Sequence, residues 1–244
     1  MTQKRNFFKR LVTRCTHLFQ SINWKYALGE IFLLFVGINL AIAFNNWNTN
    51  RIKVKIEWET LKELKEGIQK DHKDIETNIF GHKGRQQLYR YLTDHIEHKR
   101  PVSDTLLAFL PYLMGTTTFV TNTAPYEMLK ARGLDVISND SIRLKLLTYY
   151  DISQEWIVDN EILHREHFKN YLKPFALKYV RLKEGGYYFA DYEAMLTDTS
   201  IPPIFYWAIR TDSYILQLYK NALQETETLN QLLETEIERL STKL

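Results

Sequence analysis

Eighteen consecutive residues, Ala27 to Phe44 (ALGEIFLLFVGINLAIAF), carry a single ionisable group, Glu30, and a single amide, Asn39. A helix this apolar around its whole circumference must be surrounded by apolar matter, either a protein core or lipid. The flanks favour lipid. Trp24 and Tyr26 precede the run and Trp47 follows it, as the aromatic belts at membrane interfaces do. From Trp24 to Trp47 a helix rises about 35 Å, which spans a hydrocarbon core and part of each headgroup layer. A cleaved signal peptide would need a small-residue cleavage site, and AFNNWN is a poor one. The sequence therefore predicts a transmembrane helix over 26–48, with Trp24, Tyr26 and Trp47 as interfacial anchors.

Charge gives the helix a direction. Residues 1–25 hold Lys4, Arg5, Lys9, Arg10, Arg14 and Lys25 and no acid, whereas Arg51, Lys53 and Lys55 soon meet Glu57 and Glu59. The positive-inside rule then places the N-terminus in the cytosol and residues 49–244 on the far side. Outside the first 25 residues, 26 basic and 29 acidic residues leave the large domain slightly acidic. That excludes a basic nucleic-acid-binding domain, so no nucleic-acid partner is expected. The one cysteine, Cys15, excludes an intrachain disulfide. In the tail, Phe7, Phe8, Leu11, Val12, Cys15, Leu18, Phe19 and Ile22 recur at spacings of three and four between the cations. This pattern fits a basic amphipathic helix on an anionic leaflet, although the charge alone would serve as a topology signal.

The same region carries a resemblance. Lys25-Tyr26, Gly29-Glu30-Ile31, Gly37-Ile38, Ala41 and Asn45-Asn46-Trp47-Asn48 resemble the N-terminal signature of a bacterial family of uncharacterised single-span membrane proteins. Tyr126, Leu129, Lys130, Gly133, Leu134, Ile137, Asn139, Leu144, Leu147, Tyr149 and Tyr150 are similar to a second stretch of that family. The chain departs from it at Asn39, Ala43 and Thr49. The resemblance implies an inner-membrane protein with a helical extracytoplasmic domain, and it supplies no catalytic residues.

Beyond the span, apolar spacing predicts one all-α domain of several antiparallel helices. Ile56, Leu61, Leu64, Ile68, Ile75 and Ile79 stripe a first helix, which Gly81 and Gly84 should end. A second, Arg85 to His98, carries Leu88, Tyr91, Leu92 and Ile96. Ser103 or Asp104 caps a third, and residues 115–123 read as a connector. Thr123, Pro125 and Gly133 bracket a helix over 124–132. A long pattern over 141–179 takes its inner face from Leu144, Leu147, Ile152, Trp156, Ile162, Leu163 and Phe168, with a break expected at Pro174. After Gly185-Gly186 and Pro202-Pro203, a last helix runs to Leu240 on Leu216, Leu218, Leu223, Leu229, Leu232, Leu233 and Ile237.

Chemistry is sparse. There is no Gly-rich phosphate loop, no HEXXH and no nucleophile elbow. No catalytic residue, cofactor or enzymatic activity is expected. Glu161, His164 and His167 lie at steps of three along one helix, which is half of the motif used by carboxylate-bridged di-metal bundles. A solvated charged face is the plainer reading, because Arg165 and Glu166 fall between the histidines. His95 and His98 form a similar pair without a carboxylate partner. Tyr187, Tyr188, Phe189, Tyr192, Phe205, Tyr206 and Trp207 either line a groove or, as aromatic bulk more often does, pack a core.

Within the span, Glu30, Gly37 and Ala41 fall on one face at 100° per residue. Gly37 and Ala41 make a small-xxx-small pair that lets two backbones approach. Glu30 either joins that face or reaches back to the headgroups, and Asn39 points to the opposite side. The expected partners are the bilayer and either another membrane or periplasmic protein or a second copy of the chain. The leading functional expectation is a membrane-anchored helical interaction or scaffold protein. A ligand-sensing domain signalling through a partner comes second, and a helical metalloenzyme third.

Overall fold

The computed structural model describes residues 24–244. The basic amphipathic tail lies, apart from Trp24 and Lys25, outside the described residues. The fold is all-α; among the described residues it is 83% helical with one small hairpin. The chain divides into two units, residues 1–53 and Val54–Leu244.

Helix α1, Trp24–His98, is one uninterrupted element of 75 residues. In the first unit it contains the apolar run, none of which is buried. This stretch is long and apolar enough to cross a membrane. Asn39 there donates to the Phe35 carbonyl one turn back, at 2.7 Å, so its amide is satisfied by its own helix.

The second unit has two apolar cores. The first gathers Leu61, Leu64, Ile68 and Ile75 of α1 with Tyr126, Ile142, Tyr149, Ile157, Tyr219, Leu229 and Leu233. The second gathers Leu88, Tyr89 and Leu92 of α1 with Leu106, Leu110, Phe175, Tyr179, Met195 and Phe205. The connecting elements are short. Helix α2, Asp104–Phe109, is capped by Ser103, whose hydroxyl accepts from the Leu106 amide, and runs into a 3₁₀ turn over Leu110–Leu113. Helix α3, Ala124–Arg132, ends at Gly133 with φ of 104°. Asn139 caps α4, Asp140–Leu147, by accepting from the Ser141 and Ile142 amides. A wide π turn over Thr148–Ser153 leads to α5, Gln154–His167, and a second over Phe168–Leu172 leads to α6, Lys173–Tyr179. Pro174 sits in the first turn of α6. There its missing N–H costs little, so the regular ladder changes at this point but the helical path continues.

An antiparallel hairpin comes next, β1 Val180–Lys183 and β2 Gly186–Phe189, in register Val180 to Phe189 and Lys183 to Gly186. Gly185 and Gly186 both have positive φ, which permits so tight a turn. Helix α7, Tyr192–Thr197, is capped by Asp191, and α8, Ile201–Ser241, begins on Pro202-Pro203.

Two expectations are corrected. Gly81 and Gly84 do not end the first helix; α1 runs through both. A side chain at Gly84 would collide with the Tyr112 ring, and one at Gly81 would meet the Thr117 methyl at 2.7 Å. The glycines are there because the segment after α2 lies directly on the α1 backbone. The inner face expected for 141–179 is also largely turned outward. Leu144 is 65% exposed, Ile152 52%, Trp156 56%, Ile162 41% and Leu163 61%. Leu147 and Phe168 do pack, each only partly buried. The buried side of α5 is Gln154, Ile157, Glu161 and His164. A π turn inserts a residue and rotates the downstream helix by about 100°. A stripe counted at 3.6 residues therefore loses phase across 148–153 and again across 168–172.

The close approach at Gly84 yields a prediction with a decided sign. In an open helix Gly→Ala gains about 1 kcal/mol, whereas forcing a methyl into packed space typically costs about 1–3 kcal/mol. Gly84→Ala should therefore lower stability in chemical unfolding. A gain would mean that Tyr112 moves aside freely.

Candidate functional site

Three helices cross the interval between the two cores, and each brings polar residues to it. On α1 the interval falls after Ile79 and before Leu88, where His82 and Arg85 are buried. On α5 and the turn after it, the interval falls between Ile157 and Leu172, where Glu161 and His164 are buried. On α8 it falls between Ala208 and Ile215, at Asp212. The result is a polar layer sandwiched between apolar ones.

Asp212 is its centre. Its Oδ1 lies 2.7 Å from Nδ1 of His82 and 2.9 Å from Nε2 of His164. The guanidinium of Arg85 places Nη2 2.8 Å from the same His82 Nδ1, 3.4 Å from the Thr117 hydroxyl, and Nε 3.9 Å from Asp212 Oδ1. The two imidazoles meet edge to face at 5.0 Å. Burial pushes the Asp212 carboxyl up, but the hydrogen bonds of His164 and His82 outweigh it and hold the group at about 2. Burial drives His82 down to about 4 against its bond to Asp212, with Arg85 reinforcing the drop. At neutral pH the layer thus holds an anionic carboxylate, a neutral His82 imidazole and a guanidinium cation, so Arg85 and Asp212 balance.

Beside it, Glu161 accepts from the Phe119 amide at 2.7 Å and from the Tyr219 hydroxyl. Burial raises the pKa of Glu161, and these bonds act against the rise. Three carboxylates on α1 play a similar part. Asp71 accepts from the Asn122 amide and side chain at 2.8 Å each, and from Tyr149 and Gln154 at 3.0 Å each. Asp74 accepts from the Val120 amide at 2.9 Å. Glu57 accepts from the Ser138 amide and hydroxyl, at 2.6 and 2.7 Å. The irregular chain over 117–122 and at Ser138 thus finds acceptors in acidic side chains of α1 and α5.

The sequence-derived candidates divide accordingly. Of Glu161, His164 and His167, only His164 reaches Asp212. Glu161 faces Phe119 and Tyr219, and the His167 imidazole, whose pKa burial lowers, leaves its Nε2 buried without a partner. Among the described residues, the histidine and carboxylate groups that converge within 4.8 Å are His82, His164 and Asp212. Nothing in the sequence marks His82 and Asp212 as a pair, because 130 residues separate them and neither sits in a local motif. His95 and His98 each bond a carbonyl of their own helix. Of the aromatic group, Phe205 is buried and Tyr187, Phe189 and Tyr192 pack on the second core, while Tyr206 and Trp207 are exposed.

In the first unit, Glu30, Leu33, Leu34, Gly37, Ile38 and Ala41 line a shallow groove. Nothing lies within 4 Å of a side chain built at Gly37. Trp24, Tyr26 and Trp47 are exposed, and Trp47 contacts Phe44 and carries Arg51 over its ring. No family model, curated protein or solved structure matches this chain.

The Asp71 hub supplies the test of the carboxylate clamps. Asp71→Ala strands the half-buried Asn122 amide, the buried Tyr149 hydroxyl and Gln154, and each stranded polar group costs about 1–3 kcal/mol. Urea unfolding should show a loss of about 3 kcal/mol or more. Asp71→Asn, which retains one acceptor, should lose less. Equal, small losses would show that these donors find other acceptors.

Proposed function

We propose that this protein is a single-pass, membrane-anchored interaction protein whose helical domain presents the outer face of α5 and its preceding turn to a partner. The observation that carries this reading is the inversion of α5. This segment buries Gln154, Glu161 and His164 and exposes Ile152, Trp156 and Leu163. Large apolar side chains grouped on one exposed face mark binding surfaces in soluble domains, and Trp is among the residue types most enriched at binding hot spots. Glu155 and Asp159 flank the stripe, with no Lys or Arg between Lys145 and Arg165 in the sequence, while Asp151 beside it is held by Lys130 and Tyr126. The complementary surface is apolar and rimmed by Lys or Arg.

The anchor is the apolar run of α1. Its exposed circumference suits lipid, and the cations before it favour a cytosolic N-terminus and an extracytoplasmic domain in a bacterial inner membrane. The resemblance of the span to a family of single-span bacterial proteins supports the same assignment. The groove at Gly37 and Ala41 suits close approach of a second helix, with a second copy of the chain as its simplest occupant.

Two measurements test this. Protease added to spheroplasts should digest residues 54–244; protection of that domain would reverse the orientation. A photo-crosslinking residue placed in the full chain at position 156 or 163 should give adducts in cells, and at position 37 an adduct of dimer mass. Position 238, exposed on α8, should give none. Equal labelling at 156, 163 and 238 would remove the case for a specific face, and monomer alone at 37 would remove the case for pairing through the span.

A further inference from the structure

We propose that His82, His164 and Asp212 form a buried site for one divalent first-row cation of the zinc class, which enters in exchange for the Arg85 guanidinium. The donor set is the first reason. Two imidazole nitrogens and a carboxylate oxygen come from three separate helices and lie within 4.8 Å of one another. Imidazole and carboxylate are the donors that zinc and its neighbours take. Bonds of about 2.0–2.2 Å place ligand atoms roughly 3.3–3.6 Å apart in a tetrahedral site. The two nitrogens lie 2.7 and 2.9 Å from Asp212 Oδ1, so each has to draw back from it by roughly half an ångström or more to admit the ion.

Proton placement is the second reason. Nδ1 of His82 has either a hydrogen or a lone pair, not both. With a hydrogen it donates to Asp212 Oδ1, and the Arg85 N–H 2.8 Å away then points at another hydrogen. With a lone pair it accepts from Arg85, and two lone pairs then face each other across the 2.7 Å between Nδ1 and Oδ1. A cation between Nδ1 and Oδ1 takes both lone pairs and removes the conflict. The third reason is spare capacity. Asp212 Oδ2 is buried and without a partner, which leaves it free to bind bidentately or to hold a metal-bound water.

Arg85 fixes how the site behaves. It is 2% exposed, and its charge already balances Asp212. An incoming dication therefore has to displace Nη2 from His82, toward the Thr117 hydroxyl 3.4 Å away. The residual repulsion weakens binding, and removing the guanidinium should strengthen it. Glu161 and His167 stay outside the set. Glu161 Oε1 is engaged by Phe119 and Tyr219, and His167 does not join the converging atoms.

The test uses the full chain in detergent at neutral pH, after chelator treatment and dialysis. Zinc titrated calorimetrically should bind at one per chain, and cobalt should give the absorption of a nitrogen- and oxygen-ligated ion. His164→Gln and Asp212→Asn should each weaken zinc by roughly 100-fold or more, beyond what loss of an outer-shell partner does. His167→Gln should leave it unchanged. Arg85→Gln should tighten it by about tenfold or more, a gain that a misfolded variant cannot mimic. Circular dichroism on every variant separates lost ligands from lost fold. Failure of the untouched chain to take up stoichiometric zinc overturns the proposal. So does binding that survives both His164→Gln and Asp212→Asn, or binding that Arg85→Gln does not strengthen.

Discussion

The fold of the large domain depends on how one buried carboxylate, Asp212, is neutralised. Three long helical segments must pass from one apolar core to the other, and none does so with apolar residues alone. At the crossing they carry His82 and Arg85, Glu161 and His164, and Asp212. An isolated anion there would be prohibitive. Arg85 supplies the opposite charge, and the two imidazoles supply the hydrogen-bonding surface. Apolar packing tolerates small slides of one helix past another, whereas this layer does not. A shift of one turn would separate Asp212 from all three partners. The layer thereby sets the mutual register of α1, α5 and α8, a role that buried polar groups play in other helical assemblies.

Away from that layer, acidic residues take on a second task. Long helices satisfy their own backbone, but the chain joining them does not. Glu57, Asp71, Asp74 and Glu161 accept amide hydrogens from Ser138, Asn122, Val120 and Phe119. This explains how an irregular segment rich in Thr lies against the bundle with its amides paired. It also explains why α1 alternates apolar and acidic residues on one side. The carboxylates at 57 and 71 on that side are structural acceptors, not a solvated face.

These polar tasks have a consequence for the surface. Helix α5 must turn Gln154, Glu161 and His164 inward to meet Asp71, Tyr219 and Asp212. Its apolar residues Trp156 and Leu163 are then left outside. The inside of the domain and the face offered to a partner are thus two sides of one choice. The burial of the hydrogen-bonding network orients the helix, and the exposed stripe is the result.

The all-α class, the apolar run of α1, the cap at Ser103 and the stripe of α8 are local properties. Each is written in neighbouring residues at helical spacing, so each was legible in the chain itself. The hairpin at 180–189 was signalled only by Gly185-Gly186, too weak a cue for a strand pair. Other features depended on what lies opposite. Gly81 and Gly84 spell a helix end in isolation, and only the Tyr112 ring and Thr117 against them show why the helix continues. The outward turn of Trp156 and Leu163 follows the wide turn over Thr148–Ser153, which breaks the 3.6-residue count ahead of them. His82, His164 and Asp212 share no spacing at all. Long-range packing alone brings them together, because the free energy that holds a buried charge depends on its neighbours in space and not in sequence.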